Sequence, residues 1–200
     1  MNFYQEVTLI RQPEISLYFI WSKVYTQLHI ALVESKNSDN QVSLGVAFPE
    51  YRLNSDKKIS YLGSKLRVFS QTEAELVALD LSRWLERLTD YVHISPIRSV
   101  PKQVNGYAIY KRKQVKSNAE RLARHRIKRG DITYEEALQR YLNITTHCDL
   151  PFIQMHSLSG SDFTHKQQFK LFIEKIPATE IGKEGFNAYG LSQNTAVPEF

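Results

Sequence analysis

The residue types best suited to binding chemistry are concentrated in one basic stretch, KRKQVKSNAERLARHRIKRGD, at residues 111–131. From Lys102 to Arg129 the chain carries ten Lys or Arg residues and one acid, Glu120, whereas the whole chain has a net charge of only +5. The positive charge is therefore confined to one block. Such a block predicts either a polyanionic partner or a face that is kept in water.

The spacing within this block predicts an amphipathic helix with one charged stripe and one apolar face. The stripe contains Arg121, Arg124, His125 and Lys128, and the apolar face contains Ala119, Leu122, Ala123 and Ile127. A solvated basic face would give the same pattern. A polyanion is favoured because arginine dominates the stripe, acidic i,i+4 partners are nearly absent, and a second basic cluster at residues 111–116 precedes the helix.

A strand predicted at residues 106–115, just before the helix, carries two side chains suited to base recognition. Arg112 and Gln114 are two residues apart, so they lie on the same face of a strand. Arginine pairs bidentately with guanine, and glutamine pairs with adenine. The strand therefore adds base recognition to the charge-based binding predicted for the helix.

Length and composition limit the elements that position this block. A chain of 200 residues, 42% hydrophobic and 12% aromatic, is sufficient for one or two domains with buried cores. We expect a cytoplasmic protein, because no segment has about 18 unbroken apolar residues and the N-terminus lacks the order of a signal peptide. The single cysteine, Cys148, excludes an intrachain disulfide and a cysteine-cluster zinc site.

The first hundred residues predict the element order βαββαβ, the ferredoxin-like arrangement that RNA-recognition modules also use. The predicted elements are a strand at 3–9, a helix at 17–32, strands at 42–49 and 65–70, a second helix, and an extended segment at 91–100. The second helix is predicted to begin at Ser70, with Glu73 completing a capping box. A polar loop is expected between the two central strands.

The second hundred residues predict a further α+β domain, so the expected domains are 1–97 and 98–200. Gly130 is placed to end the basic helix, and another helix is predicted from Thr133, with Glu136 in a capping box, to about residue 143. Three apolar runs bounded by turn residues predict strands at 151–157, 169–176 and 186–192.

Four segments together resemble the CRISPR-associated endoribonucleases that process repeat RNA in subtype I-F systems. They are LGVAFP at 44–49, RKQVKSNAERLARHRIKR at 112–129, DLPF at 149–152 and YGLSQNTAVPEF at 189–200. The resemblance spans nearly the whole chain in the same order. It implies an N-terminal ferredoxin-like domain and a C-terminal domain whose arginine-rich helix enters the major groove of an RNA hairpin.

The resemblance also implies metal-independent RNA cleavage, with no cofactor. In this family the ribose 2′-hydroxyl attacks the adjacent phosphate, leaving a 2′,3′-cyclic phosphate and a 5′-hydroxyl. His29 matches the catalytic histidine and would be the general base. Ser157, with Ser159 as its rival, matches the serine that orients the 2′-hydroxyl, and Tyr189 matches the active-site tyrosine. The sequence contains no HExxH, DxD cluster or P-loop that would indicate metal or nucleotide hydrolysis.

The RNA contacts implied by the resemblance lie in the second domain. The candidate RNA-binding residues are Arg112, Gln114, Lys116, Arg121, Arg124, His125, Lys128, Arg129 and Phe169. Phe169 would stack on the base pair at the foot of the stem, and core packing is the alternative for this aromatic residue. The chain departs from the family pattern in a longer 157–169 segment and in Ala123 and His125, which replace arginines and predict weaker or more pH-dependent groove binding.

The expected partners are a CRISPR repeat hairpin, the mature crRNA and other subunits of the effector complex, with no membrane. The main alternative is a non-catalytic hairpin-binding subunit in which His29 is idle, since a single helical histidine is often structural. A double-stranded DNA-binding module is a weaker alternative, because no helix-turn-helix spacing is present.

Overall fold

A computed structural model describes residues 1–54, 56–115, 119–142, 148–157, 168–182 and 184–200, apart from the Arg121 side chain. The chain is an α+β protein built on antiparallel sheets. None of the helices in these ranges could span a lipid bilayer.

The first half of the chain forms a main sheet with helices packed on it and a separate two-stranded sheet. Its strands are β1 (Phe3–Leu9), β2 (Gly45–Ala47), β3 (Arg52–Asn54), β4 (Ile59–Tyr61), β5 (Lys65–Ser70), β6 (Val92–Ile94) and β7 (Arg98–Ser99). Its helices are α1 (Leu17–Glu34), α2 (Glu73–Leu79) and α3 (Leu81–Trp84). The main sheet has the order β2-β5-β1-β6 with antiparallel neighbours, and β7 also pairs with β1.

Two details of this half differ from the sequence-based prediction. The loop expected between the two central strands contains the β3-β4 hairpin, whose exposed RLN strand lacks the apolar alternation that marks a strand. The second helix does not begin at Ser70, because Ser70 is still the last residue of β5, where it is fully buried and pairs with Phe3. The helix cap is Thr72 instead, and its amide donates to the Glu75 carboxylate at 2.9 Å.

The second half forms a four-stranded antiparallel sheet of order β11-β8-β10-β9. Its strands are β8 (Gly106–Lys113), β9 (Phe152–His156), β10 (Gln168–Ala178) and β11 (Val197–Glu199). Its helices are α4 (Ala119–Arg126) and α5 (Tyr134–Leu142), which pack on each other. The predicted capping box of α5 is confirmed, since Thr133 and Glu136 exchange hydrogen bonds at 3.1 and 3.2 Å.

The prediction of a strand at residues 186–192 is wrong. Phe186 forms an isolated bridge with Val42, and the following residues turn sharply instead of pairing along a neighbour. Strand β11 pairs with β8 on the side away from β10. Strand β8 ends at Lys113, so Gln114 lies just beyond the strand that was expected to carry it.

Helix α1 connects the two sheets. Its N-cap is Ser16, whose hydroxyl accepts a hydrogen bond from the Phe19 amide at 3.4 Å. The helix contacts both β1 and β9. Its buried residues recur at helical spacing and are Ile20, Trp21, Val24, Tyr25, Leu28, Ala31 and Leu32. This burial fixes the rotation of α1, and hence the direction of the remaining side chains on it.

A single hydrophobic core extends through both halves of the chain. Two tyrosines cross between the sheets: Tyr110 donates to the Phe48 carbonyl at 3.2 Å, and Tyr51 donates to the Ile173 carbonyl at 3.1 Å. The division into domains 1–97 and 98–200 stays a prediction.

Candidate active site

His29 is held in a defined orientation near the C-terminal end of α1. Its Nδ1 lies 2.7 Å from the carbonyl oxygen of Ala188. Because a carbonyl oxygen only accepts hydrogen bonds, Nδ1 must carry the proton. In the neutral ring the lone pair is therefore on Nε2, and this nitrogen is the one able to act as a base.

The segment that supplies this carbonyl is a tight turn at residues 187–191. The Asn187 side-chain oxygen accepts from the amides of Tyr189, at 2.8 Å, and Leu191, at 3.3 Å. Gly190 has a φ of 68°, in the left-handed region that favours glycine. A Cβ at this position would lie only 2.3 Å from Val46 Cγ2, so the turn packs too closely against β2 for any other residue.

Helix α1 binds this turn at two consecutive carbonyls. Tyr25, one helical turn before His29, donates its hydroxyl to the Tyr189 carbonyl at 2.8 Å, while His29 donates to Ala188. Tyr25 is fully buried, and its burial, with a smaller effect of Tyr189, raises the pKa of its phenol well above the ordinary range. Tyr25 is therefore a neutral hydrogen-bond donor that fixes the turn relative to His29.

The ring of Tyr189 stacks on the ring of His29. The ring centres are 4.2 Å apart and the planes are inclined by only 5°. This parallel contact restrains the imidazole plane, and the hydrogen bond to Ala188 restrains its rotation within that plane. The two contacts together define where Nε2 points, as proton abstraction from a bound group requires.

Strand β8 brings Arg112 to the same corner of the molecule. Its guanidinium carbon lies 5.4 Å from the ring centre of Tyr189 and 5.3 Å from that of Phe169. Cation–π contacts of this kind contribute about 0.5 to 2 kcal/mol each. Two residues predicted to bind RNA, Arg112 and Phe169, thus adjoin two predicted to be catalytic, His29 and Tyr189.

The surroundings of His29 favour its neutral form. Partial burial lowers the pKa of His29 below its ordinary value of about 6.5, and the positive charges of Lys36 and Arg112 lower it further. The hydrogen bond to Ala188 acts in the opposite direction and raises the pKa. Since only the neutral ring accepts a proton, the net shift extends the pH range in which His29 can act as a base.

Two of the remaining predicted residues lie just beyond the ends of strands. Ser157 directly follows β9 and is half-buried. Gln114 is exposed beyond the end of β8. Lys116 and Ser159 fall outside the described residues. Among the described residues no group of three or more His, Cys, Asp or Glu side chains is arranged to hold a metal ion.

Helix α4 presents the expected two faces. Ala119 and Ala123 are buried, and the charged members Arg124, His125, Lys128 and Arg129 are exposed. The α-helix ends at Arg126, and Lys128 belongs to a following 3-10 turn, so it departs from the ideal helical stripe. Gly130, with a φ of 77°, ends this segment as predicted.

Two acids of the helix region have basic partners, and one of these pairs, Glu120 with Arg124, has the i,i+4 spacing. Glu120 lies 3.5 Å from Arg124, and both side chains are about two-thirds exposed. Asp131 forms a bidentate pair with Arg126. The exposed pair with Glu120 contributes at most about 0.5 kcal/mol, so it does not cancel the positive face.

Sequence reasoning missed the two groups that orient His29. The Ala188 carbonyl is a main-chain atom that every residue possesses, and Tyr25 is indistinguishable in sequence from a core tyrosine. Only the i,i+4 spacing of Tyr25 and His29 on one helix was a usable signal.

The fold and the site define an α+β protein with an oriented histidine, an adjoining arginine and an exposed basic helix. This chain belongs to the CRISPR-associated Csy4 protein family, whose model matches residues 4–200.

Full-length relatives carry the same family name. The protein named CRISPR-associated endonuclease Cas6/Csy4 from Escherichia coli (strain UTI89 / UPEC) is 34% identical over 202 residues, with 100% of both chains covered. Its namesake from Pseudomonas aeruginosa (strain UCBPP-PA14) is 35% identical over 202 residues, also with full coverage of both. A solved structure described as an RAMP protein binding different RNA substrates covers 99% of both chains at 13% identity, with a TM-score of 0.36.

Proposed function

We propose that this chain is a metal-independent endoribonuclease that cleaves CRISPR repeat RNA hairpins and stays bound to the hairpin at the 3′ end of the mature crRNA. The family and the named endonuclease activity of its full-length relatives support the reaction class. One observation carries the mechanism: the hydrogen bond from His29 Nδ1 to the Ala188 carbonyl leaves Nε2 as the free base.

In the proposed reaction, His29 Nε2 takes the proton of the ribose 2′-hydroxyl next to the scissile phosphate. The 2′-oxygen then bonds to phosphorus, and the bond from phosphorus to the 5′-oxygen breaks. The products are a 2′,3′-cyclic phosphate and a 5′-hydroxyl, whose proton comes from the imidazolium or from solvent. Ser157 orients the 2′-hydroxyl, and Tyr189 holds the His29 ring.

Proposed RNA binding divides between the catalytic corner and the basic helix. Arg112 and Gln114 pair with base edges, and Phe169 stacks on the base pair at the foot of the stem. The basic segment, including Lys116, Arg121, Arg124, His125, Lys128 and Arg129, neutralises phosphates along the groove. Because Arg112 adjoins Tyr189, the base that Arg112 recognises lies next to the cleaved bond.

The proposed architecture is a ferredoxin-like domain, residues 1–97, followed by an RNA-binding domain, residues 98–200. The sheet order β2-β5-β1-β6, with helices after β1 and β5, supports the first assignment. The proposed setting is a cytoplasmic effector complex in which other subunits contact the bound crRNA.

The test uses labelled RNA transcribed from a repeat array adjoining the gene, incubated with protein in EDTA. The expected result is one cleavage product ending in a cyclic phosphate. A stable gel shift with intact RNA would identify a non-catalytic hairpin-binding subunit. Cleavage that stops in EDTA and returns with added Mg²⁺ would contradict the metal-independent mechanism.

A further inference from the structure

An aromatic groove begins at the far end of α1 from His29. It is lined by Tyr18, Trp21, Tyr61, Leu62, Pro151 and Phe152, and encloses about 150 Å³. Tyr18 is 60% exposed, and its ring centre lies 6.4 Å from that of Phe152. Trp21 forms the buried floor and donates its indole N–H to the Gly63 carbonyl at 2.8 Å.

Positively charged side chains lie on both sides of this groove. The Lys170 ammonium lies 4.4 Å from the centre of the Phe152 ring. Opposite, Arg11 donates to the Tyr61 hydroxyl at 2.9 Å. Exposed aromatic rings interleaved with cations are the arrangement by which proteins bind single-stranded nucleic acid, since bases stack on the rings while cations attract the phosphates.

Helix α1 links the groove to the candidate active site. Tyr18 and His29 lie eleven residues apart on the same stripe of α1, which corresponds to about 16 Å along the helix. Strand β9 runs beside the helix from Phe152, in the groove, to Met155, which pairs with Phe169 of the catalytic corner. An RNA strand that leaves His29 and follows α1 therefore reaches Tyr18.

We propose that this groove binds the single-stranded RNA on the 3′ side of the cleaved bond, with a base stacked on Tyr18 and a phosphate near Lys170. This inference rests on the proposed function. The hairpin lies on the 5′ side of the cleaved bond, so the RNA that continues beyond the scissile phosphate is the 3′ flank. This flank begins at the candidate active site, where the path along α1 toward the groove also begins. Bound in this way, the flank holds the leaving 5′-oxygen in line and departs after cleavage.

The geometry limits the length of this flank. A stacked strand rises about 3.4 Å per nucleotide, so five nucleotides reach Tyr18, whereas one does not. The adjoining cavity contains the exposed carboxylate of Glu14. Because the cavity is also lined by Arg11, its positive and negative charges offset each other, and we expect little further gain in affinity from longer flanks.

The test measures affinity for repeat hairpins with a 2′-deoxynucleotide before the cut, which removes the nucleophile, and a 3′ flank of either one or five uridines. The parent protein is expected to bind the five-uridine RNA roughly tenfold more tightly, which is the effect of one stacked base. Tyr18→Ala should remove this difference and leave the affinity for the one-uridine RNA unchanged. Tyr18→Phe, which keeps the ring, should retain the difference.

The matched control is Phe19→Ala, because Phe19 is 54% exposed on the same helix but does not line the groove. It should retain the full difference. The inference would be overturned if the parent bound the two RNAs with equal affinity, or if Tyr18→Ala kept the full difference. A protein partner would then be the alternative occupant of the groove. A gain in affinity from a 5′ flank alone would overturn the assignment of the groove to the 3′ flank. Failure to bind the one-uridine hairpin at all would instead refute the proposed function.

Discussion

The catalytic corner, formed by His29, Arg112 and the turn at residues 187–191, differs in construction from the basic helix at residues 119–129. In the corner, side chains from α1 hydrogen-bond two consecutive carbonyls of the turn, and an aromatic ring stacks on the histidine. On the basic helix, Arg124, His125, Lys128 and Arg129 are exposed, and the acids Glu120 and Asp131 pair with Arg124 and Arg126.

The difference follows from what each region has to do. A general base contributes only when its lone pair is aligned within hydrogen-bonding distance of one proton, so its position must be fixed in advance. Charge-based attraction to a polyanion acts over about 8 to 10 Å at ordinary salt and needs no single side-chain geometry. We therefore expect substitutions in the corner to change the rate, and substitutions on the helix to change the salt dependence of binding.

The largest effect is expected for His29→Ala. Removing a general base costs about 10²- to 10⁴-fold in rate, while hairpin affinity should stay within a few fold because the base acts in the transition state. Single-turnover cleavage and equilibrium binding measure the two effects separately. His93→Ala, at an exposed position on β6, is the control and should cleave normally. Undiminished cleavage by folded His29→Ala would remove this residue from the mechanism.

A pair of glycine substitutions compares the rigidity of the two regions. Gly190→Ala should lower the free energy of unfolding by about 2 to 5 kcal/mol, because the added Cβ meets Val46 and the backbone is left-handed. Gly130 lies at the end of the basic helix and has a similar φ, but no atom of the described residues would lie within 4 Å of an added Cβ. Gly130→Ala should therefore lower the free energy of unfolding by only about 1 to 2 kcal/mol. Urea denaturation measures both, and equal losses would contradict the difference in packing.

Arg112→Ala should affect both recognition and the pH profile. The expected loss is about 1 to 3 kcal/mol on the cognate hairpin, with reduced discrimination at one base pair. Because Arg112 lowers the pKa of His29, its removal should raise that pKa and move the acidic limb of log kcat/KM to higher pH. Equal losses on all hairpins would indicate a backbone contact, and an unmoved limb would exclude the electrostatic coupling.

The smallest effects are expected on the basic helix. Each of Arg121→Ala, Arg124→Ala and Lys128→Ala should reduce the slope of log affinity against log salt by about one, because each removes one phosphate contact. Affinities at several salt concentrations provide the test. Unchanged slopes in all three variants would mean that this face does not bind RNA.

Much of the fold was predictable because long elements repeat their pattern many times. Strand β1 and helix α1 were correctly placed, and Gly130 ends the basic helix as expected. The error at residues 186–192 arose because Phe186 and Tyr189 are good strand formers and Leu191 extends the apolar run. The turn is determined instead by the Asn187 side chain and the left-handed Gly190, whose local hydrogen bonds prevail over strand propensity.

Less of the site was predictable. The types and order of its residues were visible in the sequence, but their roles depend on groups that have no sequence signature. The Ala188 carbonyl selects the tautomer of His29, and the placement of Arg112 against Tyr189 depends on the packing of β8 beside the turn. Main-chain acceptors and contacts between distant segments emerge only from the tertiary fold.

The central claim is that His29 presents Nε2 as a base because Nδ1 is bound to Ala188. The most direct measurement is the ring ¹⁵N NMR spectrum of His29 as a function of pH, assigned by its loss in His29→Gln. The expected result is a neutral ring protonated at Nδ1, with Nε2 unprotonated and a titration midpoint below about 6.5. A neutral ring protonated mainly at Nε2 would contradict the account, because the nitrogen facing the RNA would then have no lone pair to accept the proton.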